Sequence, residues 1–246
     1  MDAKETLDYF ALKVKNNERI VYARYGDGEY FLMKRISKAA TENFATGDLL
    51  SNSISKKGQF ICTPVPYAIK DYRELKSIEK KSRWLNAQLY FIEKGQHKIY
   101  GSNNFVVDDF RNGTFYVLPH FFKGRVLVIT RYAKEVLSLF RDNKVQTYEV
   151  PSSRASSVYK SLKEYLLEKA NSFDNIIFAC GPIGKVLIAD MIDQCKSNLA
   201  DFGSMINAIL YNVDSSIIRK WTMSWSVHVD MKEKCGLFLK SLNLEL

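Results

Sequence analysis

One alternation in the second half of the chain restricts its fold more than any other property. The β-type run RVLVIT at 125–130 leads into a helical stretch from Tyr132 to Arg141, and VQTYEV at 145–150 leads into one from Ala155 to Ala170. NIIFAC at 175–180 leads into a third helical stretch from Ile183 to about Cys195, followed by a short run at 199–202. Strands separated by helices of this length are βαβ units, which wind right-handed and build a parallel sheet covered on both faces. The strands lack alternating polar positions, as burial of both faces requires. The expected fold is therefore α/β: a Rossmann-like, mostly parallel sheet with helices on both faces.

The first half is less regular. Leu7, Phe10, Ala11 and Val14 predict a helix over 2–16, and Ile20, Val21 and Ala23 a short strand that stops at Gly26. From Ser77, the run SIEKKSRWLNAQLYFIEKG places Ile78, Leu85, Leu89 and Ile92 on one helical face and ends at Gly95. No internal repeat or linker composition interrupts the chain, so residues 1–246 are expected to form a single domain. The tail 217–246, with Trp221, Trp225 and His228, is unassigned but expected to pack on it.

The composition, 46% hydrophobic and 26% charged, is that of a globular protein. Thirty-six Lys and Arg against 27 Asp and Glu leave +9, a surface that attracts phosphates, nucleic acid or acidic lipid. The longest uncharged stretch, Phe202 to Val213, falls short of the roughly 20 apolar residues of a membrane-spanning helix. Asp2 and Glu5 stand where a secretory leader would be positive, so a cytoplasmic protein is expected. The charge leaves room for peripheral contact with anionic lipid at the inner membrane face. Cys62, Cys180, Cys195 and Cys235 form no C-x-x-C pair, and His97, His120 and His228 no H-x-x-x-H, which argues against a zinc site. Cys62 and Cys180, inside apolar strand-like runs, read as packing residues. The sequon at Asn112 reads as an Asn-Gly turn. Lys76, Lys80, Lys81 and Arg83 read as a solvated helix face, and without an RNP motif no nucleic-acid partner is expected.

In open parallel sheets ligands bind at the carboxyl ends of the strands, so the loops 26–29, 151–154 and 181–184 should meet at one rim. The sharpest of the three is Arg24-Tyr25-Gly26-Asp27-Gly28-Glu29. Gly26 and Gly28 let the turn fold tightly and aim Asp27 and Glu29 at one spot, where two carboxylates can share Mn²⁺ or Mg²⁺ with a diphosphate. The plainer reading is that Asp27 caps a helix beginning near Tyr30. Arg24 either pairs with the acids or holds a phosphate. A dinucleotide fingerprint is disfavoured, because Phe31 takes the place of its third glycine.

Gly181, Pro182 and Lys185 open a helix after a buried strand, which is a generic anion site. Lys185 is unfavourable to the helix dipole there, and so is either a phosphate contact or a surface lysine. Ser152 and Ser153 offer hydroxyls and Arg154 a guanidinium, unless one serine merely caps the next helix. Asp201-Phe202-Gly203 ends the last strand, as a ligand contact or a turn.

Taken in order, RYGDGE, CGPIGKVL and ADFG resemble the GT-D glycosyltransferase family, first defined as a bacterial domain of unknown function. Its D-x-E block corresponds to Asp27 and Glu29 within 24–29, its Gly-Pro-x-x-Lys-x-Leu block to Gly181, Pro182, Lys185 and Leu187, and its Asp-Ile-Gly block to Asp201 and Gly203. Tyr100-Gly101-Ser102 also resembles a family stretch. The resemblance implies a Rossmann-like fold, a UDP-sugar donor and Mn²⁺ dependence. It implies transfer of a hexose, glucose or galactose, to a bacterial surface glycan, glycolipid or glycoprotein. Asp27 and Glu29 would hold the metal, and Arg24, Gly26, Gly28, Ser153, Arg154, Gly181, Pro182 and Lys185 would line the nucleotide-sugar site. Glu29, Asp201 and Asp109 are candidates for the base that activates the acceptor. The competing expectations are a non-catalytic polyanion-binding module and another Rossmann-type transferase such as a methyltransferase.

Overall fold

A computed structural model describes residues 1–36, 44–64, 78–103, 105, 109–110, 113–140, 144–213 and 231–243. Asn112, Lys76 and the segment with Trp221, Trp225 and His228 lie outside the described residues, as do the side chains of Lys80, Lys81 and Arg83. Among the described residues, seven strands form one sheet: β1 (Val21–Arg24), β2 (Phe60–Thr63), β3 (Gly101–Ser102), β4 (Val126–Thr130), β5 (Val145–Glu149), β6 (Asn175–Ala179) and β7 (Asn198–Asp201). Their order is β3-β2-β1-β7-β6-β4-β5, and every pairing is parallel. The central strands β4 and β6 are buried nearly throughout, whereas the edge strand β5 exposes Gln146 and Glu149. The uninterrupted apolar runs of the sequence are these two-sided interior strands.

Helices cover both faces. On one lie α1 (Ala3–Lys15), α5 (Ala133–Leu139), α8 (Met205–Val213) and α9 (Met231–Ser241), around a core that includes Phe10, Tyr22, Phe121, Phe202 and Phe238. On the other lie α2 (Asp27–Met33), α3 (Phe44–Ser53), α4 (Ile78–Gly95), α6 (Tyr159–Lys169) and α7 (Pro182–Met191), around Tyr25, Phe91, Leu127, Phe178 and Leu187. The described part of the tail is α9, whose Cys235, Phe238 and Leu239 enter the first core. All four cysteines are buried, and none forms a disulfide.

Two local expectations are corrected. The face of α4 that carries Leu89 and Ile92 is exposed, at 56% and 42%, and the helix instead buries Ala87 and Phe91. Both stripes have helical spacing, but Phe91 brings the larger ring, which packs edge-on against Tyr25 and Tyr30 with centroids 5.4 and 6.5 Å away. The helix expected near Tyr30 begins at Asp27, so Asp27 is its first residue and Gly26, not Asp27, is the cap.

The sheet order fixes the ligand site. The chain runs outward from β1 through β2 to β3, then crosses to β4 and returns through β6 to β7 beside β1. Strand order reverses at β1 and β7, and the crevice above such a reversal is where open α/β sheets bind ligands.

Candidate active site at the carboxyl edge of the sheet

A cavity of about 440 Å³ opens there, lined by residues that follow all seven strands. Across the rim come Ser102 and Asn103 at β3, Pro64 after β2, the 24–29 turn after β1, Asp201 and Gly203 at β7, Cys180 to Pro182 after β6, Arg131 after β4 and Pro151 to Arg154 after β5. The three loops singled out in the sequence meet in it. Of the expected site residues, Arg24, Gly26, Asp27, Glu29, Ser153, Arg154, Gly181, Pro182, Lys185 and Asp201 line the cavity. Gly28 does not, and a Cβ there would meet no atom within 4 Å.

Three charged groups from distant parts of the chain join at the centre. The Lys185 ammonium lies 3.0 Å from Glu29 Oε1 and 2.9 Å from Asp201 Oδ2, with side-chain exposures of 5%, 12% and 1%. Lys185 is thus not a surface lysine but a buried counter-ion for both acids at the cavity wall. The glycines explain how a lysine in the first turn of α7 is buried at all. Gly181 has φ +70°, a turn that favours glycine, and a Cβ on Gly184 would stand 3.1 Å from Phe178 Cβ and 3.2 Å from Cys180 Sγ. The helix thus packs closely on β6, and Lys185 projects inward toward β7.

Glu29 has a second task. Its Oε2 accepts the Gly26 N–H at 2.8 Å, capping α2 from the third helical position. Burial pushes its carboxyl up, but Lys185 and the Gly26 N–H more than offset that, so Glu29 titrates below the ordinary carboxylate range. Burial also works against the Lys185 ammonium, yet Asp201 and Glu29 outweigh it and hold Lys185 above the ordinary lysine range. Asp201 accepts from the backbone N–H of Arg24 at 3.1 Å and of Gly203 at 3.0 Å. Arg24 donates through Nη1 to the Phe202 carbonyl at 3.1 Å, tying β1 to the end of β7.

The other flank is cationic. Arg131 Nη1 donates to the Ser152 carbonyl at 3.3 Å, so the loops after β4 and β5 are joined. Arg154 is exposed and holds the left-handed conformation at φ +53°, directly before a 3-10 turn over Ala155–Val158. Neither Ser152 nor Ser153 caps that turn, whose cap position is Arg154 itself.

Asp109 is no candidate base. It is fully buried and outside the cavity, and accepts from Thr114 Oγ1 and from the backbone N–H groups of Tyr116, Val117 and Leu118 at 2.8–3.0 Å. A carboxylate satisfied by four donors holds a loop together.

The donor set at Asp27 and Glu29 fits a hard divalent ion of one kind. Such ions, when they serve phosphate chemistry, take one or two carboxylates and complete their shell with phosphate oxygens and water. Asp27 and Glu29, the first and third residues of α2, both line the cavity. The Glu29 carboxylate offers about four lone-pair sites, of which the bonds from Lys185, the Gly26 N–H and its own backbone N–H take three. An all-protein cage does not form: among the described residues no three His, Cys, Asp or Glu cluster as a cation site.

Fold and rim together define a Rossmann-like α/β protein with a cavity at the strand-order reversal. Within that class, the chain is similar to solved structures of the domain of unknown function 1792. One, in selenomethionine-substituted form, superposes with a TM-score of 0.64 at 19% identity, over 83% of this chain and 78% of that one. A second, described as having a distinct glycosyltransferase fold, gives 0.64 at 20% identity over 82% and 77%. A third, described as a new glycosyltransferase from Streptococcus sanguinis, gives 0.59 at 22% identity over 83% and 81%. No protein-family model and no curated protein matches the sequence. The fold expected from RYGDGE, CGPIGKVL and ADFG is the fold observed.

Proposed function

We propose that the chain is a glycosyltransferase that moves a hexose, glucose or galactose, from a UDP-sugar to a saccharide of a bacterial surface glycan, glycolipid or glycoprotein. The observation that carries this reading is the convergence of the 24–29 turn, Lys185 and Asp201 in one cavity flanked by Arg131 and Arg154. The similarity to structures described as glycosyltransferases supports it. A cavity of about 440 Å³ is within the size range of small-ligand sites.

The diphosphate lies toward β6, β4 and β5, where Arg131, Arg154 and the Ser153 hydroxyl supply charged and neutral donors. Asp27 and Glu29 would hold Mn²⁺ or Mg²⁺, whose positive charge would offset the negative charge developing on the departing diphosphate. Lys185 holds Glu29 and Asp201 in place and favours the ionised form of Glu29. The reaction centre then lies over β1 and β7, between the cationic flank and the β3 end of the rim.

The enzyme works in the cytoplasm, in peripheral contact with anionic lipid where its acceptor is membrane-bound. Its four buried cysteines, none in a disulfide, suit a reducing compartment. Among the described residues no helix is long and apolar enough to cross a membrane.

Calorimetry with UDP, with and without Mn²⁺, combined with a screen of UDP-sugars for slow hydrolysis, tests the reading. Metal-assisted UDP binding and hydrolysis of one UDP-sugar are expected. A protein that ignores UDP but binds any polyanion, with affinity falling steeply in salt, would be a polyanion-binding module instead.

A further inference from the structure

We infer, from the diphosphate placement proposed above, that the turn from β7 into α8 is the donor-sugar subsite, where Arg24 and Asn207 read hydroxyl groups of the hexose.

Rim order puts the sugar there. With the diphosphate over β5, β4 and β6, the next positions along the sheet edge are β7 and β1. The two sides of the sheet differ at that point. Lys185, Glu29 and Asp201 meet on the side of α2 and α7. Arg24, two residues after Tyr22 on β1, projects to the other side, where Tyr22 and Phe202 lie in the first core and α8 packs.

Arg24 is a cation with most of its donors unused. It lines the cavity, yet among the described residues its guanidinium makes a single hydrogen bond, to the Phe202 carbonyl at 3.1 Å, and no ion pair. Its Nε–H is buried without an acceptor. Gly203, with φ +51°, brings the turn close against it: a Cβ there would stand 3.5 Å from Arg24 Nη1.

Asn207, the third residue of α8, lines the same cavity from that turn. It is 7% exposed, and its side-chain amide has no hydrogen bond among the described residues. Buried amides nearly always find a partner, and the cavity is the direction left from which one can come.

The chemistry of the pair selects the ligand. A guanidinium offers a planar fork of donors to two neighbouring oxygens, and an amide donates and accepts at once. Vicinal sugar hydroxyls, which also donate and accept, match both groups. A diphosphate, which only accepts, would use the fork but leave the Asn207 carbonyl oxygen without a donor. A site built to bind hydroxyls rejects a sugar that lacks or misplaces one, because its own polar groups are then left unpaired. Arg24 and Asn207 thus set the sugar preference from the side opposite the acidic pair.

The test uses Asn207→Ala and Asn207→Ser, each checked for folding by circular dichroism. UDP, UDP-glucose and UDP-galactose are titrated by calorimetry in the presence of Mn²⁺. The wild type is expected to bind one UDP-hexose more tightly than UDP. Asn207→Ala should bind that UDP-hexose about tenfold more weakly, with UDP affinity unchanged, and Asn207→Ser should lose less. Arg24→Lys, which keeps the charge but not the fork, should narrow the difference between the two sugars. A UDP-binding wild type that gains nothing from either hexose, wild-type UDP-hexose affinity in Asn207→Ala, or an equal loss of UDP affinity would each overturn the subsite. A wild type that binds no UDP would overturn the donor placement instead.

Discussion

Lys185 reaches from the first turn of α7 to Asp201 at the end of β7, with Nζ 2.9 Å from Oδ2 and both side chains buried. Because the same ammonium also meets Glu29, one cation serves two acids that belong to opposite halves of the chain. Removing one partner of a buried ion pair leaves an uncompensated charge, at a cost of about 3–5 kcal/mol. Lys185→Ala is therefore expected to lower the melting temperature by roughly 10 °C, as measured by calorimetric melting. An unchanged melting point would show that the ammonium is dispensable to the fold.

The same triad sets a pH window. Glu29 titrates below its ordinary value of 4.5, so its stabilising effect is present above that value and fades as pH falls through the depressed one. Lys185 titrates above its ordinary 10.5, so its effect is complete below that value and is lost as pH rises through the raised one. Urea midpoints should hold a plateau between these limits, and Glu29→Gln should flatten the acid limb. A variant with the wild-type acid limb would assign acid unfolding to other carboxylates.

Glu29→Gln and Asp27→Asn should differ. Repulsion between two carboxylates on one turn would let either neutralisation stabilise the protein, but Glu29 faces Lys185 and the Gly26 N–H. Glu29→Gln is expected to cost about 2 kcal/mol or more, because charge-assisted bonds are the stronger ones. Asp27→Asn, at the start of α2, should stay within about 1 kcal/mol of wild type and lose transfer activity and Mn²⁺ affinity. Chemical denaturation beside a Mn²⁺ titration separates the two. An Asp27→Asn protein that still binds Mn²⁺ would remove Asp27 from the metal site.

Arg154 holds a left-handed backbone conformation that costs a non-glycine residue about 1–2 kcal/mol. Arg154→Gly should relieve it, and after the flexibility glycine adds to the unfolded chain, the variant should be no less stable than wild type. UDP affinity should fall about tenfold or more in both Arg154→Gly and Arg154→Ala, since each loses one charge-assisted contact. Calorimetry of both variants with UDP checks this, and unchanged affinity would place Arg154 outside the diphosphate site.

Asp109 gives the opposite pattern. Asn offers one acceptor oxygen where two now accept, and points its amide at backbone donors. Asp109→Asn should destabilise by about 2–4 kcal/mol while turnover per folded molecule is kept. A folded, inactive variant would return Asp109 to the chemistry.

The sequence was most readable where a single local pattern decides the outcome. Strands such as β4 and β6, buried on both faces, leave uninterrupted apolar runs, and Gly26 and Gly181 mark the turns that follow β1 and β6. The site was legible as loops on a common rim, because strand ends in a parallel sheet necessarily share one edge. The burial of Lys185 was not legible because charge near a helix start looks solvent-facing locally, while its partners on α2 and β7 are brought in only by the sheet order. The role of Asp109 was hidden for a different reason: its donors follow within nine residues, but in irregular chain that has no period to read. On α4, two stripes satisfied the helical period, and only the neighbouring Tyr25 and Tyr30 rings decide which one is buried. β3, two residues long, has no period to detect.

The position of β7 has a consequence for how the protein is made. Its pairing with β1 joins Val21 to Leu199, and its pairing with β6 closes the other side. A ribosome that has not yet translated residue 201 therefore holds two half-sheets, each with an unpaired edge where β7 will go, and no ion triad between them. Such edges invite the wrong strands, and long-range parallel pairing is slow to form. The ion triad of Glu29, Lys185 and Asp201 and the completion of the sheet are therefore one event.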